Sequence, residues 1–584
     1  MLRFKPVLIG AAALFAVSCH DTVLAQDAAE PQIIGEWHGE LRTPTGGTVL
    51  VLYVEEDENG ALTAKVENAN QAPGNFAPID TISVEAGQLN WAIERIGASY
   101  VGDWVAEEGN WQGTFNQGME LSLTFEPGLP PARPVYEGLD GLWEGVVELN
   151  GARLRQILRV ETGERGTLIL YDSPDQMVNG LAPDEVTVEG KDVSLSFLGG
   201  MSLMEGVLSE DGSELTGEIS SSVNDIIVPF TLVRTSETAQ RAELSRPQNP
   251  EPPFPYTEEE VAFDNLLQSG VHLAGTLTIP EGEGPFPAAI MITGSGAQDR
   301  DEALMGHRPF AVIADHLTRN GIAVLRFDDR GFGESRSETP YDDATSADLA
   351  TDANAAFAFL RQRSEIDPLK IGFIGHSEGG MIGPIAMADN PYAAYIVMLA
   401  GPGTDLGELL ATQQRLLGAT MGASEEQLDN QAPVMEAMIR AIAEADGVEE
   451  GRAAAMAVLT PEAMEQMEIP ADFPKEMIVN RLSSPWFQYF LSYDPAPNLA
   501  RIRAPILALN GSLDLQVPAD ANLDAIRAAT TGNTDVTIVK LDGLNHLFQH
   551  AETGGIGEYM SIEETFAPEV LEMMSDWINE RFGQ

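Results

Sequence analysis

The chain has 584 residues, 43% of them hydrophobic, with 90 Asp and Glu against 33 Lys and Arg and a formal net charge of −57. The length exceeds what one core can organise and points to two or three domains. The charge repels polyanions and anionic lipid, which excludes nucleic acid as a partner and suits a chain kept in solution by self-repulsion.

The first 25 residues read as an export signal. Arg3 and Lys5 form a basic start, and residues 7–17 an apolar run too short to span a bilayer. Val23-Leu24-Ala25 offers a small-residue cleavage site, which implies a periplasmic or secreted protein. The competing reading is a lipid anchor at Cys19, the single cysteine, but Ala16 suits a lipobox poorly. A chain cut after Ala25 has no thiol chemistry and no disulfides. No later stretch is apolar and long enough for a membrane helix.

Residues 26–240 read as an all-β accessory domain, with alternating runs such as Val49-Leu50-Val51-Leu52-Tyr53-Val54 and turn signals such as Glu58-Asn59-Gly60 and Asp211-Gly212. The region is duplicated. Gly35-Glu36-Trp37-His38-Gly39 aligns with Gly141-Leu142-Trp143-Glu144-Gly145, residues 71–78 with 176–183, and 111–115 with 215–219, at offsets of 104 to 106. Two copies at so long a period imply two similar β units or one duplicated barrel or sandwich. Trp37 and Trp143 are expected to be core anchors rather than ligand platforms. Residues 241–256 are a Pro-rich linker, read as a semi-rigid extended spacer.

From 257 to 584 strands and helices alternate. Strands are expected at 271–279, 288–293, 323–327, 371–374, 394–399, 506–509 and 537–541, and helices at 310–319, 347–363 and 567–582. The pattern is that of an α/β domain with a mainly parallel sheet. Residues 403–500 interrupt it with a helical, Met-rich insertion, expected to cap the site and to lend methionines to an acyl pocket.

Gly375-His376-Ser377-Glu378-Gly379 sits between an apolar strand and a helix, the setting of a nucleophile elbow. A serine nucleophile needs a base and a group to orient it. Asp514, after the strand at 506–509, is the candidate acid, and His546, in the loop after 537–541, the candidate base. The oxyanion donors are expected to be the Glu378 N–H and one from the loop after Thr293, either Ser295 or Gly296. Arg300, Asp301 and Glu302 are expected to brace that loop. No metal cluster or dinucleotide motif is present, so neither a cofactor nor a metal is expected.

The motifs Gly-Ser-Gly-x-Gln-Asp-Arg-Asp-Glu at 294–302, Arg-Phe-Asp-Asp-Arg-Gly at 326–331 and Gly-His-Ser-Glu-Gly-Gly at 375–380 resemble those of bacterial secreted serine esterases of the α/β-hydrolase superfamily. The resemblance covers residues from about 246 onward. It implies Ser377 as nucleophile, Asp514 as acid and His546 as base, acting on a small-molecule ester through an acyl-enzyme. It also implies that the duplicated β region is an accessory domain. Thr293 departs from the His-Gly that commonly opens the oxyanion loop in the wider superfamily, and the second donor stays open. Two other readings are a secreted serine peptidase of the same fold, and a surface- or polymer-binding protein with a secondary hydrolase domain.

Overall fold

The computed structural model describes residues 33–583, apart from 44–45, 59, 94–96, 118–119, 150–151, 177, 222–225, 236–245 and 471–472. The leader and Cys19 lie outside the described residues. The chain divides into two compact units. One comprises residues up to 39 with 51–66 and 77–129, and the other 40–50, 67–76 and 130–584.

The duplication is structural. Each copy is a nine-stranded antiparallel sheet, the first running from Gly35–Thr43 to Glu120–Pro127 and the second from Gly141–Leu149 to Ile226–Thr235. In both, sequential strands are neighbours, the first strand also pairs with the ninth, and the one unpaired seam falls between the fourth and fifth. Such a meander curls on itself and leaves only the seam as an edge. The closing pairs are equivalent: Trp37 lies opposite Pro127, and Trp143 opposite Arg234. Each indole N–H donates to a carbonyl four residues back, Trp37 to Ile33 at 2.7 Å and Trp143 to Leu139 at 2.8 Å. Both rings are buried, as core anchors require.

The third sheet carries helices on both faces. In order of appearance its main strands lie 1-2-4-3-5-6-7-8 across the sheet, from Thr257–Asp264 to Val536–Leu541. The first two run antiparallel to their neighbours and the rest are parallel. The strand Phe286–Ile292 shows why the sheet sits centrally. Phe286, Ala288, Ile290 and Ile292 pack into one apolar cluster, while Ala289 and Met291 pack into the cluster on the other face. The strand at Ile366–His376 begins five residues earlier than its apolar run suggests, because Ile366 pairs with Phe286.

The insertion is helical, with Leu406–Thr420, Glu425–Ala443, Val448–Val458, Pro461–Gln466, Lys475–Arg481 and Pro485–Ser492 among its described residues. Met438 packs inside this lobe with Met435, Met456 and Met467 against it, and Met464 is buried as well. The Pro-rich stretch is tied down where it is described. Arg246 donates to the carbonyls of Met305, Met560 and Ile562, and Gln248 to that of Phe566. Prolines hold the backbone extended, but the flanking polar side chains fasten it to the α/β sheet's loops, so it does not act as a free spacer.

Candidate active site

Ser377 ends the strand Ile366–His376 and precedes the helix Gly379–Asp389. Its φ of 53° is left-handed, a strain of about 1–3 kcal/mol for a non-glycine residue. The Ser377 N–H donates to Leu399 at 2.8 Å, which fixes the turn against the neighbouring strand. The flanking glycines are sterically required. A Cβ on Gly375 would lie 2.0 Å from the Gly379 carbonyl oxygen, and one on Gly379 would lie 2.1 Å from that of Ile292.

Asp514 follows the strand Ile506–Gly511 and His546 the strand Val536–Leu541, at the same carboxyl-terminal edge, where parallel sheets open their sites. The Asp514 carboxylate accepts from the Gln516 and Val517 N–H groups, each at 2.8 Å, and from His546 Nδ1 at 2.8 Å. Both side chains are buried. A carboxylate only accepts, so Nδ1 carries a proton, and the tautomer of the neutral ring is the one with its lone pair on Nε2. The His546 loop is held by Asn545, whose side-chain oxygen accepts from the Leu547 and Gln549 N–H groups. His550 lies elsewhere. It is half exposed, pairs with Glu564 and Glu569, and its pKa is raised chiefly by the hydrogen bond it donates to Glu564.

Ser377, Glu378, Ser295 and His546 line one cavity of about 480 Å³; Gly296 does not, and Asp514 backs the imidazole from behind. Among the described residues, neither the Ser295 nor the Glu378 N–H donates to another group, so both are available to a ligand. The cap's contribution to the wall is Leu409, Leu410, Gln413, Trp486, Phe487 and Phe490. This corrects the expectation for the methionines: none lines the cavity among the described residues. They fill irregular gaps between the cap's own helices, while rigid aromatic rings face the space.

The bracing of the oxyanion loop is built from charge. Glu302 accepts from the Gly294 N–H at 2.7 Å and from His376 Nδ1 at 3.0 Å, and His376 Nε2 donates to the His546 carbonyl at 3.0 Å. Burial opposes the His376 charge, yet Glu302 and the His546 carbonyl outweigh it and raise the pKa. The His376 imidazole thus ties together the loop after Thr293, the Ser377 turn and the His546 loop. Arg300 binds Asp328 and Glu334, each at 2.7 Å, and Arg330 binds Asp352 at 2.7 Å in full burial.

Three groups were not legible as site components. The sequence points to the Glu378 backbone N–H and not to its side chain. It is buried, and its Oε1 accepts from Ser346 Oγ at 2.6 Å and Trp486 Nε1 at 2.9 Å, while its Oε2 has no partner. Burial raises its pKa. Trp486 could have been suspected from the aromatic run Pro485-Trp486-Phe487-Gln488-Tyr489-Phe490. Tyr559, in a stretch without periodicity, gave no signal.

Residues 307–552 match the family model described as Serine aminopeptidase, S33. The C-terminal domain belongs to the α/β-hydrolase superfamily.

Among relatives of this hydrolase domain, Esterase EstD of Thermotoga maritima is 29% identical over 280 residues, which is 48% of this chain and 59% of that protein. Thiohydrolase aneE of Aspergillus aculeatus is 37% identical over 124 residues, 21% of this chain and 35% of its own. The chain thus covers less than two thirds of either relative. Among solved structures, the Pyrococcus furiosus esterase Pf2001 aligns with 56% of this chain and 94% of its own, at 14% identity and a TM-score of 0.33. Est1E of Butyrivibrio proteoclasticus, solved with ferulic acid, aligns with 55% and 96%, at 17% identity and a TM-score of 0.33.

Proposed function

We propose that the protein is a serine esterase that cleaves carboxylic esters through an acyl-enzyme. The observation that carries this reading is the 2.8 Å contact between His546 Nδ1 and Asp514 beside a cavity that also holds Ser377. In this reading the Ser377 hydroxyl attacks the ester carbonyl carbon while His546 Nε2 takes its proton. Asp514 stabilises the imidazolium that forms. The Ser295 and Glu378 N–H groups receive the developing oxyanion. His546 then returns the proton to the departing alcohol, and a water activated by the same nitrogen hydrolyses the acyl-enzyme. Leu409, Leu410, Phe487 and Phe490 supply apolar walls for the acyl or alcohol part. The similarity to an esterase is further support.

A second reading is a peptidase. It is favoured by the description of the matching family model, and by Glu378 Oε2, a buried acceptor without a partner in the wall of the cavity. That oxygen could receive a substrate ammonium. A panel of p-nitrophenyl esters run beside aminoacyl anilides decides between them. Ester turnover at least about a hundredfold above anilide turnover is expected, since each tenfold reflects about 1.4 kcal/mol of transition-state binding. Anilide turnover matching or exceeding that of esters would overturn the esterase reading.

A further inference from the structure

The second β repeat reaches the loops around the cavity, and what it holds there is a strap. Residues 553–562 cross from the exposed Glu552 side toward Phe566. Tyr559, at the middle, lines the cavity and is buried. The strap is fastened to the acid loop at two points. A Cβ on Gly554 would lie 1.9 Å from the Leu513 carbonyl oxygen, so the two backbones are in close contact. Gln516, whose N–H donates to Asp514, also donates through its side chain to the Tyr559 hydroxyl at 3.1 Å. On another side, His307 donates to the Tyr559 carbonyl at 3.0 Å, and Arg246 holds Met560 and Ile562.

The remaining anchor comes from the β repeat. Arg155, on the strand Ala152–Gly163, forks onto Asp175 in the short turn Pro174–Gln176, with contacts of 2.8 to 3.1 Å. The same guanidinium donates to the Gly557 carbonyl at 2.6 Å. Gly557 is where the two surfaces meet. A Cβ there would lie 2.4 Å from the Asp175 Cα. Beside it Gln176 donates to the Met421 carbonyl at 3.2 Å. Leu149 and Leu154 of the repeat press on Gly422, where a Cβ would meet them at 3.0 and 3.3 Å. A bidentate Arg–carboxylate pair that spends its spare N–H on a neighbouring backbone is a geometric clamp as well as a charge contact.

We propose that the second β repeat acts as part of the catalytic domain's specificity apparatus. Arg155 and Asp175 are positioning residues that hold the strap 553–562, and through Tyr559 they set the wall against which large esters bind. The inference rests on the cavity being the ester site. A small acyl group touches only the groups around Ser377, whereas a larger substrate also meets the strap. The clamp therefore affects ground-state binding of large substrates and leaves the chemistry alone.

The test is steady-state kinetics of wild type, Arg155→Ala and Gly557→Ala on p-nitrophenyl acetate and p-nitrophenyl octanoate, with hydrogen exchange of residues 553–562 measured in parallel. Gly557→Ala removes no polar group and only forces the strap off Asp175. Both variants are expected to raise KM for the octanoate about tenfold at unchanged kcat, the signature of lost uniform binding, while acetate kinetics stay within about twofold. Arg155→Lys, with one compact donor in place of a fork, should recover only part of the KM. Exchange of 553–562 should rise in both variants. The double variant should be no worse than either single one, because both break one contact. Equal losses of kcat on both esters, or kinetics indistinguishable from wild type, would overturn the proposal. If wild type turns over no ester at all, the esterase reading fails, and the clamp is then judged by exchange alone: unchanged exchange in Arg155→Ala would overturn it.

Discussion

At the scale of single residues, two histidines within five positions divide cleanly. His546 shares a buried contact with Asp514, and His550 sits among exposed carboxylates. Removing a member of a serine triad costs about three to six orders of magnitude in turnover. His546→Ala is therefore expected to abolish ester hydrolysis with an unchanged circular dichroism spectrum, while His550→Ala stays within a few-fold of wild type. Reversal of that ranking would mean that the base loop is misassigned. Glu378 gives a second residue-scale prediction. Burial lifts its pKa, partly countered by hydrogen bonds from Ser346 and Trp486, and Asp329 is the nearby carboxyl that feels it. A carboxyl raised above its unfolded value adds stability below the unfolded pKa and loses it as pH rises through the folded one. Glu378→Gln keeps the acceptor oxygen without the charge. Its melting temperature should gain on wild type as pH rises above the ordinary carboxyl range, as followed by differential scanning calorimetry. A gap that narrows with rising pH would contradict this account.

At the scale of elements, the loops at 294–302 and 328–335 are stapled by charged side chains. Arg330 and Asp352 are both buried, and Arg330 also donates to Gln268 and to the Asp348 carbonyl. Removing one partner strands the other. Arg330→Met is expected to destabilise the fold by about 3–5 kcal/mol in urea unfolding, and a loss under about 1 kcal/mol would show that the pair is not a brace. These elements also show what the sequence could and could not reveal. The strands Val271–Ile279 and Ala323–Phe327 have the bounds that their patterns imply: the first, antiparallel to both neighbours, opens with buried Val271 and Leu273 alternating with His272 and Ala274, and the second, buried along its length, reads as a near-continuous apolar run. The elbow was legible because a left-handed serine between two clash-limited glycines leaves a short, fixed spacing. The Glu302–His376 bridge, the cap's Trp486 and Tyr559 were not legible. Their partners lie 74, 108 and 43 residues away, and no local period links them.

At the scale of the molecule, the two β repeats share a strand order but fall differently between the two compact units. The second belongs to the same compact unit as the hydrolase sheet, and the first, for the most part, forms a unit of its own. A chain that begins at Pro130 is accordingly expected to retain acetate and octanoate hydrolysis within a few-fold. A chain that begins near Pro247 lacks Arg155 and Asp175, and should lose octanoate turnover preferentially. Loss of both activities in the chain starting at Pro130 would show that residues 40–50 and 67–76, which cluster with the hydrolase unit, are needed by it.

The central claim is that Ser377 is the nucleophile of an acyl-transfer site. It is tested most directly by reacting the protein with a fluorophosphonate probe and mapping the adduct by mass spectrometry. One adduct per chain, at Ser377, is predicted for wild type and none for Ser377→Ala. An adduct that persists in Ser377→Ala, or one mapped to any other residue of the wild type, would contradict the account.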